Sequence, residues 1–171
     1  MDTHLPGYGA DPAFGPVPLH QYLAALPDWK AWAALHIHDE DGRILLLHAT
    51  GNRGWQHPGG HTEHDEVPHE TAERETLEET GHKITALAPL AVVVTPPSHD
   101  RPGRFGIVFD GGTMPTEHAA HISLDPDEHD DARFATLDQW RHLLPPDRYA
   151  RLQAYDDARR TGRTVYLSVP D

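Results

Sequence analysis

The stretch from Gly60 to His82 constrains this chain more than any other part, and it reads GHTEHDEVPHETAERETLEETGH. Three of its glutamates, Glu75, Glu78 and Glu79, have the spacing that places side chains on one face of a helix. Like charges at this spacing repel one another and weaken an isolated helix. A divalent cation offsets that repulsion, and carboxylate oxygens are ligands that suit Mg²⁺ or Mn²⁺. The alternative is a solvated acidic helix face that is balanced by arginines.

The same stretch carries signals for where its helix begins and ends. Pro68 fits the first turn of a helix, where the N–H that proline lacks has no partner in any case. Gly81 fits the left-handed position just past a helix end, so the sequence predicts a helix of about three turns between them. The turn signal at residues 57–60, His-Pro-Gly-Gly, precedes the helix and follows an apolar-rich strand that ends near His48. Its glycines allow the backbone to approach a ligand closely.

This stretch resembles the Nudix box, G-x5-E-x7-R-E-U-x-E-E-x-G-U, in which U is an aliphatic residue. All of the fixed positions are filled, by Gly60, Glu66, Arg74, Glu75, Glu78, Glu79 and Gly81. So many residues at fixed spacing make a far more specific signal than a lone glycine motif. Three positions differ from the pattern. Thr76 and His82 replace aliphatic residues, and Asp65 stands where many members have glycine. We expect these departures to alter local packing and the bend of the loop more than the chemistry.

The resemblance implies an α/β fold, a Nudix-type α/β/α sandwich in which helices flank a mixed β-sheet. The alternation of apolar strands and helices along the chain independently favours a sheet covered by helices. We predict that residues 1–31 form an N-terminal extension with a short helix at Pro18–Leu26, and that residues 32–171 form the hydrolase domain.

Apolar periodicity and turn residues predict the remaining elements. Strands are predicted at Trp32–His38, Arg43–His48, Arg104–Asp110, Ala132–Thr136 and Thr164–Val169, with one or two more within His82–Thr95. Helices are predicted at Leu137–Leu144 and Asp147–Arg160, separated by a break at Pro145-Pro146, and residues 116–131 are predicted to be irregular. The Asp41-Gly42 pair predicts a hairpin between the first two strands.

The resemblance also implies a chemistry, a divalent-metal-dependent hydrolase that cleaves a phosphoanhydride bond. It implies that Glu75 and Glu79 coordinate Mg²⁺ or Mn²⁺ together with the carbonyl of Gly60. Glu78 then either ligates a second ion or accepts a proton from the attacking water. Metals offset charge on the diphosphate oxygens while the water is brought in line with phosphorus. We place Arg74 in the catalytic group with Glu75 and Glu78, because in this family its ion pair with Glu66 holds the box together.

Five residues are candidates for substrate contact: Arg53, Trp55, His61, Arg104 and Glu128. Arginines grip phosphate, and an aromatic side chain stacks on a base. His61 directly follows Gly60, and Glu128 is the candidate for an acid that many family members place in a later loop. Each has an ordinary alternative, as a surface arginine, a core aromatic residue, a surface histidine or a solvated carboxylate. Asp130 and Asp131 compete with Glu128 for the same role.

Composition narrows the classes of partner. The net charge of −13 disfavours nucleic acid polymers and anionic membranes, and no apolar run approaches the length of a membrane span. The chain has no cysteine, which excludes disulfides, thiolate metal sites and thiol catalysis. The N-terminus has no signal-peptide pattern, so we expect a cytoplasmic protein. A homodimer through the N-terminal helix is possible by analogy.

The predicted substrate is a small-molecule diphosphate, namely a nucleoside diphosphate linked to another group, such as a nucleoside triphosphate or a nucleotide sugar. One alternative is a dedicated biosynthetic hydrolase of a non-nucleotide diphosphate, for example an isoprenoid diphosphate. The other is a non-catalytic nucleotide-binding module. Nudix-like modules of that kind usually lose box glutamates, and this chain has lost none.

Overall fold

The computed structural model describes residues 19–26, 28–51 and 53–170. Its elements in chain order are α1 (Leu19–Ala25), β1 (Trp29–Asp39), β2 (Ile44–Ala49), β3 (Gly54–Gln56), β4 (Gly59–His61), α2 (Pro68–Thr80), β5 (Pro89–Thr95), β6 (Gly103–Met114), α3 (Thr116–Ala119), β7 (His129–Ala135), α4 (Leu137–Arg141), α5 (Pro146–Thr161) and β8 (Val165–Ser168). Of the predicted N-terminal extension, residues 1–18 lie outside the described residues. No helix in the described part of the chain is long and apolar enough to cross a membrane.

The strands form one mixed sheet, as predicted, and β1 lies at its centre. The sheet runs in the order β3-β2-β1-β6-β5-β8, and in addition β4 pairs with β1 and β7 pairs with β2. β1 is parallel to β6, and β5 is parallel to β8, whereas the other pairs are antiparallel. Because β4 pairs with β1 at Ala33 and Ala34, the Gly59-Gly60 segment is held on the central strand of the sheet.

Helices cover both faces of the sheet, which confirms the predicted sandwich. Alternate residues of a strand point to opposite faces. Leu35 and Ile37 of β1 therefore pack in one core cluster with Ala72 of α2, on one face. On the other face a second cluster places Val93 of β5 against Tyr155 of α5. A third cluster, around Ile44, Leu46 and the buried Trp140, joins β2 to α4 and α5, and Trp140 Nε1 donates to the Ile44 carbonyl at 3.0 Å.

Helix α2 begins and ends where the sequence predicts. Pro68 is its first residue, and Gly81 caps its end at φ 75° with its N–H donating to the Leu77 carbonyl at 2.9 Å. Its buried side chains are mostly small, including Thr71, Ala72, Thr76 and Thr80. Thr76 thus fills the position of an aliphatic residue in the box pattern as a fully buried side chain.

Several predicted boundaries are wrong. β6 does not end at Asp110 but continues to Met114, because the pairing with β1 passes through a bulge at Gly111-Gly112 and resumes at Thr113. Residues 82–88 form no strand, α3 interrupts the region predicted to be irregular, and β7 begins at His129. The first of the two late helices, α4, ends at Arg141 and not at the predicted Leu144. The predicted break at Pro145-Pro146 is confirmed, and Pro146 begins α5 one residue before the predicted start, where its missing N–H needs no partner.

Candidate active site

The Gly59-Gly60 segment lies against the carboxylates of α2. A Cβ atom built on Gly60 would lie 2.4 Å from Cδ of Glu75, so only glycine leaves room for that carboxylate beside the strand. The N–H of Gly59 donates to Oε2 of Glu79 at 2.8 Å. The close approach predicted for the glycine loop therefore brings two box glutamates to the backbone of β4.

Burial changes the acid strength of these two glutamates. Glu79 is only 4% exposed, and burial raises its pKa to about 8. The hydrogen bond from the Gly59 N–H opposes this rise, whereas the negative charges of Glu75 and Glu128 add to it. Burial also raises the pKa of Glu75, which the Arg74 guanidinium opposes. A cation placed between such carboxylates favours their charged forms, so this arrangement suits the binding of a positive ion.

Glu128, in the loop before β7, and His129, the first residue of β7, meet the box at Glu79. Ligand atoms of Glu79, Glu128 and His129 all lie within 4.8 Å of one another. His129 is buried, with Nε2 at 3.6 Å from Oε1 of Glu79 and at 3.2 Å from Nε2 of Gln56. Burial lowers the pKa of His129, which favours the neutral ring that can ligate a metal. The structure thus places Glu128, predicted for substrate contact, beside the glutamate predicted to hold the metal.

Arg74 links the carboxylates of the box. Its Nε donates to Glu66 at 2.8 Å, and its Nη1 lies 3.0 Å from both Glu75 and Glu78. Its Nη2 also donates to the carbonyl of His61 at 3.2 Å. The hydrogen bond from Arg74, supported by donors at residues 63 and 71, lowers the pKa of Glu66 to about 2. Glu78 is 58% exposed and points to Arg74, so it stands outside the buried group formed around Glu79.

A cavity of about 660 Å³ adjoins the same backbone segment. Gly59, Gly60 and His61 form part of its wall. The rest of the wall comes from five strands (β1, β2, β3, β5 and β6), from α5, from the loops before β4 and before α5, and from residues 169–170. It includes Trp32, Trp55, His57, Arg104, Asp147, Arg148, Arg151 and Tyr155. Of the residues predicted for substrate contact, Trp55, His61 and Arg104 line this cavity, whereas Arg53 and Glu128 do not.

The cavity wall combines positive charge with aromatic rings. Arg104, Arg148 and Arg151 line it, and the one carboxylate among its lining residues is Asp147, which lies 3.2 Å from Arg151. Nη1 of Arg148 donates to the carbonyls of Arg53 and Trp55 at 2.7 and 3.1 Å, which ties α5 to the start of β3. In a chain with a net charge of −13, such a wall favours an anionic ligand with a flat ring.

Two groups of residues at this site were not predicted from the sequence. His129 is one of fifteen histidines, and no spacing sets it apart from the others. The α5 residues Arg148, Arg151 and Tyr155 lie far from the box along the chain, so only the packing of α5 on the sheet brings them to the cavity.

Comparison with known proteins agrees with this geometry. The family model described as NUDIX domain matches residues 28–157, while no curated protein matches the chain. The MutT protein from Methanosarcina mazei Go1 has a TM-score of 0.65 and 26% identity, covering 78% of this chain and 97% of that one. An ADP-ribose pyrophosphatase from Streptococcus suis 89-1591 has a TM-score of 0.56 and 23% identity, covering 82% and 98%. A C. elegans Ap4A hydrolase has a TM-score of 0.56 and 20% identity, covering 78% and 98%. Because the sequence identities of the pyrophosphatase and the Ap4A hydrolase are this low, their similarity shows a shared fold and no more.

Proposed function

This chain belongs to the NUDIX family, and we propose that it is a divalent-metal-dependent hydrolase that cleaves a phosphoanhydride bond in a nucleoside diphosphate linked to another group. As a family member it is a hydrolase that acts on pyrophosphate bonds. The proposal adds the metal, the residues that hold it and the class of substrate.

The observation that carries the proposal is the convergence of Glu75 and Glu79 on the Gly59-Gly60 backbone, with Glu128 beside them. Carboxylate and carbonyl oxygens are the donors that Mg²⁺ and Mn²⁺ prefer, so these residues fit such an ion. We assign Glu75, Glu79 and the Gly60 carbonyl to the metal. A divalent ion there supplies positive charge to the diphosphate oxygens.

The other residues of the box have separate tasks in this proposal. Glu78 is exposed, and it either accepts a proton from the attacking water or holds a second ion. Arg74 fixes the positions of three carboxylates and of the His61 carbonyl, so it acts as a positioning residue. Glu66, whose side chain is 14% exposed, accepts from Nε of Arg74 and anchors it.

The cavity supports a nucleotide as the bound part of the substrate. Its arginines suit phosphate oxygens, and Trp55 and Tyr155 offer aromatic surface to a base. Gly60 and His61 line this cavity, and Gly60 also contacts Glu75, so a ligand in the cavity reaches the backbone that borders the proposed metal site. The neighbours named for ADP-ribose and Ap4A support the same class, since in both compounds phosphoanhydride bonds join an adenosine to a second group.

A panel of diphosphates tests the proposal. Nucleoside triphosphates, nucleotide sugars, ADP-ribose, dinucleoside polyphosphates and isoprenoid diphosphates are incubated with the chain and Mg²⁺, and the products are separated. We expect turnover of one nucleoside-containing class, lowered about 100-fold or more in Glu78→Gln and in Glu79→Gln. Glu63→Gln, at an exposed glutamate in the loop between β4 and α2, is the matched control.

Two results would contradict the proposal. Turnover of isoprenoid diphosphates alone would favour the non-nucleotide alternative. Binding of nucleotides without turnover of any compound would favour the binding module.

A further inference from the structure

A second cluster of metal-ligating side chains lies on the sheet face opposite α2. The two-residue spacing of His36 and His38 on β1 places both rings on the face covered by α5. There they meet Asp156 of α5, with Nε2 of His38 at 2.9 Å and Nε2 of His36 at 3.8 Å from its Oδ1. The rings meet edge to face with their centres 4.7 Å apart.

Two ring nitrogens of this cluster, Nε2 of His36 and Nδ1 of His38, are buried without a hydrogen-bond partner among the described residues. His36 is 0% exposed, and its Nε2 has no hydrogen-bond partner among the described residues. A buried polar atom without a partner is costly, so most buried nitrogens in folded proteins are paired. The other ring nitrogen of His36, Nδ1, lies 2.9 Å from Nε2 of His57. Nε2 of His36 therefore points into the space between His38 and Asp156.

We propose that His36, His38 and Asp156 form a site for a transition-metal cation such as zinc, separate from the glutamates of the box. Two imidazoles and one carboxylate are a ligand set that suits zinc and is a poor match for Mg²⁺. Ligand atoms bound tetrahedrally to zinc lie about 3.3 Å apart, given metal–ligand distances of about 2.0–2.1 Å. The distances of 2.9 and 3.8 Å to Asp156 lie on either side of that value, and all three ligand atoms are within 4.8 Å of one another.

The surroundings of the cluster agree with a bound cation. With zinc bound at Nε2 of His36, Nδ1 of the same ring carries the proton and donates a hydrogen bond to Nε2 of His57. A hydrogen bond of this kind fixes the orientation of a ligating imidazole. Arg159, the guanidinium near the cluster, is already paired with Asp110 at 3.0 Å. The side chain of Asp156 is 27% exposed, which leaves that side of the site open to water as a fourth ligand.

A metal at this position ties the central strand to the helix that walls the cavity. His57 and Tyr155 both line the cavity. The centre of the His36 ring lies 5.1 Å from that of His57 and 6.3 Å from that of Tyr155. Occupancy of the cluster therefore stabilises the contact between β1 and α5, and a cation that binds only the folded chain raises its melting temperature.

Zinc titration of the metal-stripped full chain against a chromophoric chelator tests the proposal. We expect one equivalent to bind to wild type, and the affinity to fall ~100-fold or more in His38→Gln and in Asp156→Asn. Two control variants are expected to bind zinc as tightly as wild type. Glu79→Gln alters the group of Glu79, Glu128 and His129, and His99→Gln alters an exposed histidine paired with Asp100. Equal affinity in wild type and Asp156→Asn would overturn the proposal, and so would loss of the zinc in Glu79→Gln.

A measurement on wild type alone covers the case in which a variant fails to fold. X-ray absorption of the chain loaded with one equivalent of zinc is expected to give two imidazole ligands and oxygen. A spectrum with one imidazole, as the group of Glu79, Glu128 and His129 would give, would overturn the proposal.

Discussion

Gly59 and Gly60 differ in what a methyl group would meet. At Gly60 it would press on the Glu75 carboxylate, the end of a flexible side chain. We predict that Gly60→Ala lowers metal-dependent turnover about 100-fold, because displacing a ligand by about 1 Å is enough for such a loss. The free energy of unfolding should change by less than about 1 kcal/mol, since the carboxylate can move. Turnover kinetics and urea unfolding of the variant measure both quantities.

Gly59→Ala is the matched comparison for that prediction. Its Cβ would lie 2.3 Å from the carbonyl oxygen of Ala33, and its φ of 149° is one that other residues rarely adopt. This variant should lose about 2 kcal/mol of stability, because backbone atoms cannot move aside as a side chain does. Equal losses of stability in both variants would contradict the distinction.

Asp65 holds a backbone conformation that suits glycine better. It is the one non-glycine residue with positive φ among the described residues, at 66°, where many relatives of the box pattern have glycine. We predict that Asp65→Gly raises the free energy of unfolding by up to about 1 kcal/mol, because the left-handed conformation is strained for a residue with a Cβ. Chemical denaturation of Asp65→Gly and of Asp65→Val tests this. Val should lower stability, and a loss in both would contradict the explanation.

At the residue scale, local spacing predicted which residues of the box lie close together. Glu75, Glu79 and Gly60 come together as the helix and loop signals indicated, because their positions depend on local structure. His129 and Asp156 depend on strand pairing and helix packing over long sequence separations, which no local pattern encodes. The pair of His36 and His38 did carry a signal, since a two-residue spacing on a strand places both on one face.

At the scale of elements, α2 and α5 end in the same way. Gly81 and Gly162 adopt φ of 75° and 67°, and a Cβ on either would meet no atom closer than 3.5 Å. We predict that Gly81→Ala and Gly162→Ala each lose about 1 kcal/mol of stability from the left-handed strain alone. Only Gly81→Ala should also weaken Mg²⁺-dependent turnover, because α2 carries the box glutamates. A drop in turnover of the same size in both variants would show that general destabilisation is the cause.

Elements with strong end signals were predicted well. The Asp41-Gly42 turn gave the β1–β2 hairpin, and Pro68 and Gly81 gave α2. The end of β6 was missed because Gly111-Gly112 looks like a turn, while the pairing with β1 absorbs it as a bulge. The start of α5 was predicted to within one residue, because Pro145-Pro146 marks the break between the helices and Pro146 fits a first helical turn.

At the scale of the whole molecule, acid weakens the fold through Glu66. Its pKa is about 2 in the folded chain against an ordinary 4.5, so its contribution to stability is complete above pH 4.5 and is lost as the pH falls toward 2. We predict that Glu66→Gln is less stable than wild type at pH 7 and that the difference shrinks between pH 4.5 and 2. Urea unfolding at a series of pH values, with Glu63→Gln as control, measures it. A difference that stays constant with pH would contradict this assignment.

The cavity is also a property of the whole molecule. Its wall draws on most of the strands and on α5, so its content of arginine and aromatic rings follows only from the assembled sandwich. The sandwich itself was predictable, because the box motif and the alternation of strands and helices both indicated it. Under the proposed function, the substrate class therefore depends on cavity residues of which only Trp55, His61 and Arg104 were predicted from the sequence.

The most direct test of the central claim is Mn²⁺ binding followed by electron paramagnetic resonance, which requires no knowledge of the substrate. We predict that wild type and His38→Gln bind Mn²⁺, and that Glu75→Gln and Glu79→Gln bind it at least ~10-fold more weakly. Equal Mn²⁺ affinity in wild type and in both glutamate variants would contradict the claim that these box residues hold the metal for hydrolysis.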